Sequence, residues 1–356
     1  LVEGHVLLHA FGVVSGLGEF IGYAARLVSG SLADRSRKYW AFIFIGYGLI
    51  AAIPLIGFTR SIGAVIALLV LERVGKALRS PSRDTVVSII GKDVGTGKAF
   101  GIHEAVDQVG AIIGPLLFGG IMLYTANSYP AAFKVLLIPF VLMIIALAYA
   151  YRKVGNIVKA ETENVKSGKG SLDRGFWIYC AAILLNTLGL VPVALILFSG
   201  SSILQPIGQQ WLVPVLYAVV QIVDVPMALV SGHLFDKMGL KILALPFILS
   251  IFPAFFVSFG GLNGIIIACV LFGLVLGMQE SIYRASICNL APLCKRGIAY
   301  GVFNTMLGLG TLLSGAVFGF MINQGYSAVV MALFALVMQL GAIAALAKIG
   351  PRLSEC

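Results

Sequence analysis

Charge is what this sequence has least of. Only 11% of its 356 residues are Asp, Glu, Lys or Arg, against 59% hydrophobic, where a soluble domain carries about 25% charged residues. So few charges cannot coat a water-facing surface, which excludes an ordinary soluble enzyme and a disordered chain. The five cysteines (Cys180, Cys269, Cys288, Cys294, Cys356) include no Cys-x-x-Cys pair, so neither a zinc site nor a disulfide framework is indicated. Histidine is scarce, and the spacing of His5 and His9 is too little for a metal site. Ser and His stand in no hydrolase motif. Gly95-Thr96-Gly97-Lys98 ends like a phosphate loop. Lys92 occupies the first glycine position, however, and Ala99 stands where Ser or Thr is required. No catalytic residue, cofactor, metal or chain-encoded ATPase is expected. The 42 glycines follow no three-residue collagen period.

What is present is long apolar runs. A membrane span needs about 20 mostly apolar residues, and such stretches lie near 7–32, 39–58, 61–78, 99–124, 130–151, 175–199, 211–234, 240–259, 262–282, 297–323 and 326–348. The connections between them alternate in Lys and Arg. One set, from Arg35, Arg37 and Lys38 through to Lys348 and Arg352, holds 19 of the 25 basic residues, and the other set only Arg60 and Lys134. The positive-inside rule puts the first set in the cytoplasm, with the C-terminus inside. The net charge of +10 is then an insertion signal with anionic lipid as a secondary partner, and no nucleic-acid partner is expected. The longest polar run, 152–174, reads as a cytoplasmic linker between an N-terminal bundle at 1–151 (five spans) and a C-terminal bundle at 175–356 (six spans).

The halves repeat. Leu27-Val28-Ser29-Gly30-Ser31-Leu32-Ala33-Asp34-Arg35 aligns with Leu229-Val230-Ser231-Gly232-His233-Leu234-Phe235-Asp236-Lys237, and Gly101, Gly110 and Gly119 align with Gly301, Gly310 and Gly319. Parallel repeats of this kind build a central site between two bundles in many transporters.

These residues resemble the major facilitator superfamily. Gly30-Ser31-Leu32-Ala33-Asp34-Arg35 is similar to that family's signature between its second and third helices. Val109-Gly110-Ala111-Ile112-Ile113-Gly114-Pro115 followed by Gly119-Gly120 is similar to its glycine-proline motif, often associated with antiporters. Glu72 to Arg79, with Arg83-Asp84, resembles the fourth helix and the loop after it, and Gln279-Glu280-Ser281 with Arg284 and Tyr300-Gly301 the tenth and eleventh helices. The first signature usually carries glycine where Arg37 stands, and the second copy keeps it at Gly239. The family has twelve helices in two sixes, so the resemblance implies that a first helix precedes Leu1. It also implies that Asp34 packs near the start of the eleventh family helix, about Gly297 to Gly301, as a latch. Gly30, Asp34, Arg35, Gly232 and Asp236 are thus the candidate conformational gate, and Gly110, Gly114, Pro115, Gly119 and Gly120 the candidate packing motif.

Charges inside spans are costly and mark function or tight pairing. Arg26, Glu72, Arg73, Lys76, Glu104 and Asp107 fall at similar depth in the first half and read as an ion network or a substrate or proton site, with His103 one turn before Asp107. Glu280 and Arg284, four residues apart, read as an ion pair near the cytoplasmic end of their helix. Glu19 and Asp224 stand alone near mid-membrane and are the candidate proton carriers, since a lone buried carboxylate disfavours its charged form. Asn186, Gln279 and Asn304 are polar positions able to line a cavity.

The expectation is therefore an all-α polytopic membrane protein of two pseudo-symmetric bundles. It would be a monomeric secondary active transporter in the plasma membrane that exports a small-molecule substrate against protons by alternating access. Two alternatives stay open: a permease subunit driven by a separate ATPase, and a membrane-embedded enzyme.

Overall fold

A computed structural model describes residues 21–124, 129–164, 171–209 and 212–349. Among the described residues the chain is all helix and short connections, with no strand. The helices, in chain order, are α1 (21–36), α2 (Tyr39–Phe58), α3 (Ile62–Ile90), α4 (Thr96–Tyr124), α5 (Tyr129–Val135 and Leu137–Asn164), α6 (Arg174–Leu204, broken between Leu188 and Val193), α7 (Leu212–Met238), α8 (Ala244–Leu249 and Phe252–Ser258), α9 (Gly261–Leu290), α10 (Arg296–Asn323) and α11 (Ala328–Ala347). They occupy ten of the eleven apolar stretches and the described part of the first. By length and composition alone, seven segments among the described residues suffice to cross a membrane, with α7 and α8 counted as one.

Chemistry sets the helix starts. Ser61 and Ser327 cap α3 and α11 by accepting from the amides of Ala64 and Val330, and the Asp173 carboxylate accepts from the Arg174 amide at the head of α6. Exposed apolar residues recur at helical spacing, as with Ile138, Leu142, Ile145 and Tyr149 on α5 and Val329, Leu333, Val337 and Leu340 on α11. In water such stripes would be an aggregation hazard, whereas a hydrocarbon environment accepts them.

Three expected boundaries shift. Residues 79–90, expected as a loop, continue α3 as helix through Pro81. They can do so because their polar groups are buried rather than solvated: Ser80, Ser82, Asp84, Thr85 and Ser88 are all nearly inaccessible, and Ser80 and Thr85 donate to the carbonyls of Lys76 and Pro81. Likewise α9 runs to Leu290, through a π-helical turn at Gln279–Tyr283. Residues 152–164, expected within the linker, prolong the helix after Leu137 to Asn164.

The two halves meet crosswise. Helix α4 lies along α7, and α10 packs on α3, while glycines of α10 touch α1. Within the second half α6 packs on α10 and α11, and α7 on α9. The largest apolar core gathers Phe176, Tyr179, Phe247, Tyr283 and Tyr300 and admits Phe100 from the first half.

Candidate functional site

At the end of the molecule that carries the basic connections, the halves are joined by two matching contacts. The Asp34 carboxylate, at the end of α1, accepts hydrogen bonds from the amides of Gly297 (2.9 Å) and Ile298 (2.7 Å) at the start of α10, and from the Tyr39 hydroxyl (2.8 Å). The Asp236 carboxylate, at the end of α7, accepts from the amides of Gly97 and Lys98, both at 2.8 Å, at the start of α4. A helix N-terminus offers unpaired N–H groups and about half a positive charge, so a carboxylate there is stabilised. The backbones come close enough only because small residues sit at the crossings. A Cβ on Gly301 would stand 2.6 Å from Cα of Leu27, and one on Gly101 2.6 Å from the Ala228 carbonyl. Gly30 and Gly232 press in the same way on the carbonyls of Gly297 and Gly97.

Beyond these contacts lies a central cavity of about 670 Å³ between the halves. Arg26, Lys76, Arg79, Arg83, Glu104 and Asp107 face it from the first half, and Gln221, Gln279, Glu280, Arg284 and Asn304 from the second. Arg26 donates to the Asn304 side chain at 2.7 Å, with its guanidinium over the Tyr23 ring at 4.3 Å. Arg79 lies over the Tyr47 ring at 4.9 Å. Arg83 grips buried Asp84 at 2.9 Å. Arg284 pairs with Glu280 of its own helix and reaches Glu104 of the other half at 3.2 Å. A buried amide chain continues from there: Gln108 donates to Glu104 (3.0 Å) and to Asp224 (2.7 Å), and accepts from Gln221 (2.6 Å). The second oxygen of Asp224 is buried and without a bond.

The expected residues thus separate. Arg26, Lys76, Glu104 and Asp107 line the cavity, but Glu72 and Arg73 do not: they approach one another at 3.8 Å with the Arg73 side chain 76% exposed. Helical periodicity turns position 73 away from the face shared by 76 and 79. The Glu280–Arg284 pair forms, yet it is not local, because Arg284 bridges the halves through Glu104. Asp224 is not isolated, since Gln108 reaches it from α4. Asn186 is not among the residues lining this cavity; it is a fully buried hub bonded to Gln339, Ser250 and Tyr283. Arg35 is exposed at the end of α1. His103 keeps one ring nitrogen buried and unbonded. Gly110 and Gly114 lie on α4 with no described atom near enough to touch an added Cβ. The surroundings of Pro115, Gly119 and Gly120 lie outside the described residues, as do Glu19, His5 and His9. Among the described residues no group of three or more His, Cys, Asp or Glu could hold a metal.

Sequence reasoning missed Gly97-Lys98 as the seat of Asp236, and missed Gln108 and Gln221. The first had a signal: the repeat offset that pairs Gly101 with Gly301 also pairs Gly97 with Gly297. The glutamines had none, because an amide in a span is ordinary until its neighbours are known.

The family model of the Major Facilitator Superfamily matches residues 5–315. The chain belongs to that superfamily. It is therefore an integral membrane protein and a transporter rather than an enzyme. Among relatives of this superfamily member, an uncharacterized protein of Mycobacterium tuberculosis is 36% identical over 91% of this chain and 81% of its own length. An uncharacterized MFS-type transporter of Methanocaldococcus jannaschii is 27% identical over 88% of this chain and 79% of its own. The crystal structure of the Escherichia coli fucose:proton symporter FucP superposes with a TM-score of 0.64 at 14% identity, over 97% of this chain and 91% of that one. At that identity the likeness speaks for the fold.

Proposed function

We propose that this superfamily member is a proton-coupled exporter of small organic molecules in the cell membrane. It would work as a monomer by alternating access between the bundles at 1–151 and 175–356. The observation that carries the reading is the pair of carboxylate contacts at one end of a cavity lined by both halves. They join different bundles and they are related by the repeat. The basic loops assign that end, and the C-terminus, to the cytoplasm, so the described state has its cytoplasmic side shut. The gate is then Gly30, Asp34, Arg35, Gly232 and Asp236, with Gly97 and Gly297 as its seats. Asp224 is the proton carrier of this reading, one oxygen held by Gln108 and the other free to take the proton. The export direction rests on the glycine-proline motif of α4.

Spin-label distances across the cytoplasmic face test the reading. Asp34→Asn removes the charge that the helix end stabilises by about 0.3–2 kcal/mol. It should therefore shift the population toward the open face by a factor of a few up to about thirty. An unchanged ratio of open to closed would show that Asp34 is not a latch.

A further inference from the structure

Among the described residues more cations than carboxylates line the central cavity. Five cations face it: Arg26, Lys76, Arg79, Arg83 and Arg284. Two are spoken for, Arg83 by Asp84 and Arg284 by Glu280 and Glu104. Among the described residues the remaining three have no carboxylate within ion-pair distance. Arg26 meets only an amide and a tyrosine ring, and its Nε is buried without a partner. Arg79 meets a carbonyl and a ring. The Lys76 side chain has neither a hydrogen bond nor an ion pair among the described residues. Against them stands one lining carboxylate without a salt bridge, Asp107. Arg26 is buried and Arg79 half-buried, whereas Lys76 is exposed, and an unpaired charge at the two arginines is costly unless a ligand supplies its counter-charge.

We propose that the cavity binds a small organic anion: a carboxylate, sulfonate or phosphate group carried on an apolar or ring body. The proposal rests on the transport reading above and names its substrate class. Arg26 and Arg79 are held by their tyrosine rings, so their free N–H groups are set in place for an oxyanion. Lys76 adds a mobile charge from the same wall. Phe303 and Leu307 give the cavity an apolar surface for the ligand's body. Its volume lies inside the range of about 300–1,000 Å³ that small-molecule sites occupy.

The test is equilibrium binding to the full chain in lipid nanodiscs, with four probes on one ring: benzoate, phthalate, benzamide and benzylamine. The two anions should raise the melting temperature at millimolar concentration, and the neutral amide and the cation should not. Lys76→Gln and Arg79→Gln should each weaken the anions about ten- to hundredfold, the range for a lost bond to a charged group. Asp107→Asn should strengthen them, and Lys76→Arg should restore binding. Opposite effects from loss of a cation and loss of a carboxylate are not what misfolding produces. Equal or tighter binding of benzylamine or benzamide, indifference to both Lys76→Gln and Asp107→Asn, or no binding by either anion would each overturn the assignment. If the spin labels still report opening and closing while no anion binds, the transport reading stands and the substrate class falls. If anions bind while the labels show no motion, the reverse holds.

Discussion

Residue 37 shows how the fold overrules a local preference. Arg37 has φ of 54°, and among the described residues it is the one non-glycine with positive φ. Its repeat mate Gly239 has φ of 61°. The chain must make the same left-handed turn after each gate carboxylate, so Arg37 adopts a conformation that costs an ordinary residue about 1–2 kcal/mol. Arg37→Gly should relieve part of this, raising thermal stability by about 1 kcal/mol once the extra freedom of the unfolded glycine is subtracted. A melting temperature lower than that of the parent chain would show that the arginine side chain compensates the strain. At Asp224 the isosteric Asp224→Asn keeps shape and can keep the Gln108 contact by an amide flip, but it cannot carry a proton. Proton-gradient-driven flux in proteoliposomes should fall to background while the melting temperature holds. Unchanged flux with unchanged pH dependence would remove Asp224 from the coupling path.

At the scale of elements, glycines serve two different ends. Gly101 and Gly301 let helices of opposite halves touch, with less than a methyl group's room. Gly101→Leu or Gly301→Leu should therefore hold the cytoplasmic face apart without unfolding either bundle. Gly110→Ala meets no described atom and should be tolerated, gaining up to about 1 kcal/mol of helix propensity. Spin-label distances and melting curves separate the two classes. If Gly301→Leu leaves the closed distance unchanged, the crossing is looser than the backbone geometry states. The polar end of α3 makes a related point. Arg79 to Ser88 reads as a loop by hydropathy, yet its short side chains bond back onto their own helix and pack against the partner half.

For the molecule as a whole, the partition of basic residues sets the orientation. In a background with its native cysteines replaced, Arg60→Cys should react with a membrane-impermeant thiol reagent added outside intact cells, and Lys241→Cys should not. Both positions are exposed, so accessibility tracks the side of the membrane. The opposite pattern would invert the topology and with it the direction assigned to the closed end.

The sequence by itself determined the fold class, the span order and the two-fold repeat, because burial in hydrocarbon demands apolar length and a repeated motif survives as repeated letters. It also marked Asp34 and its seat near Gly297, through the family resemblance. Only the tertiary structure decided which charges meet. Glu72 and Arg73 fell outside the cavity, Glu104 found Arg284 180 residues away, and Asp224 gained Gln108 from the other bundle. Hydropathy and spacing constrain one helix at a time. Pairing across the cavity depends on the rotation and register of two bundles packed together, which no single helix encodes.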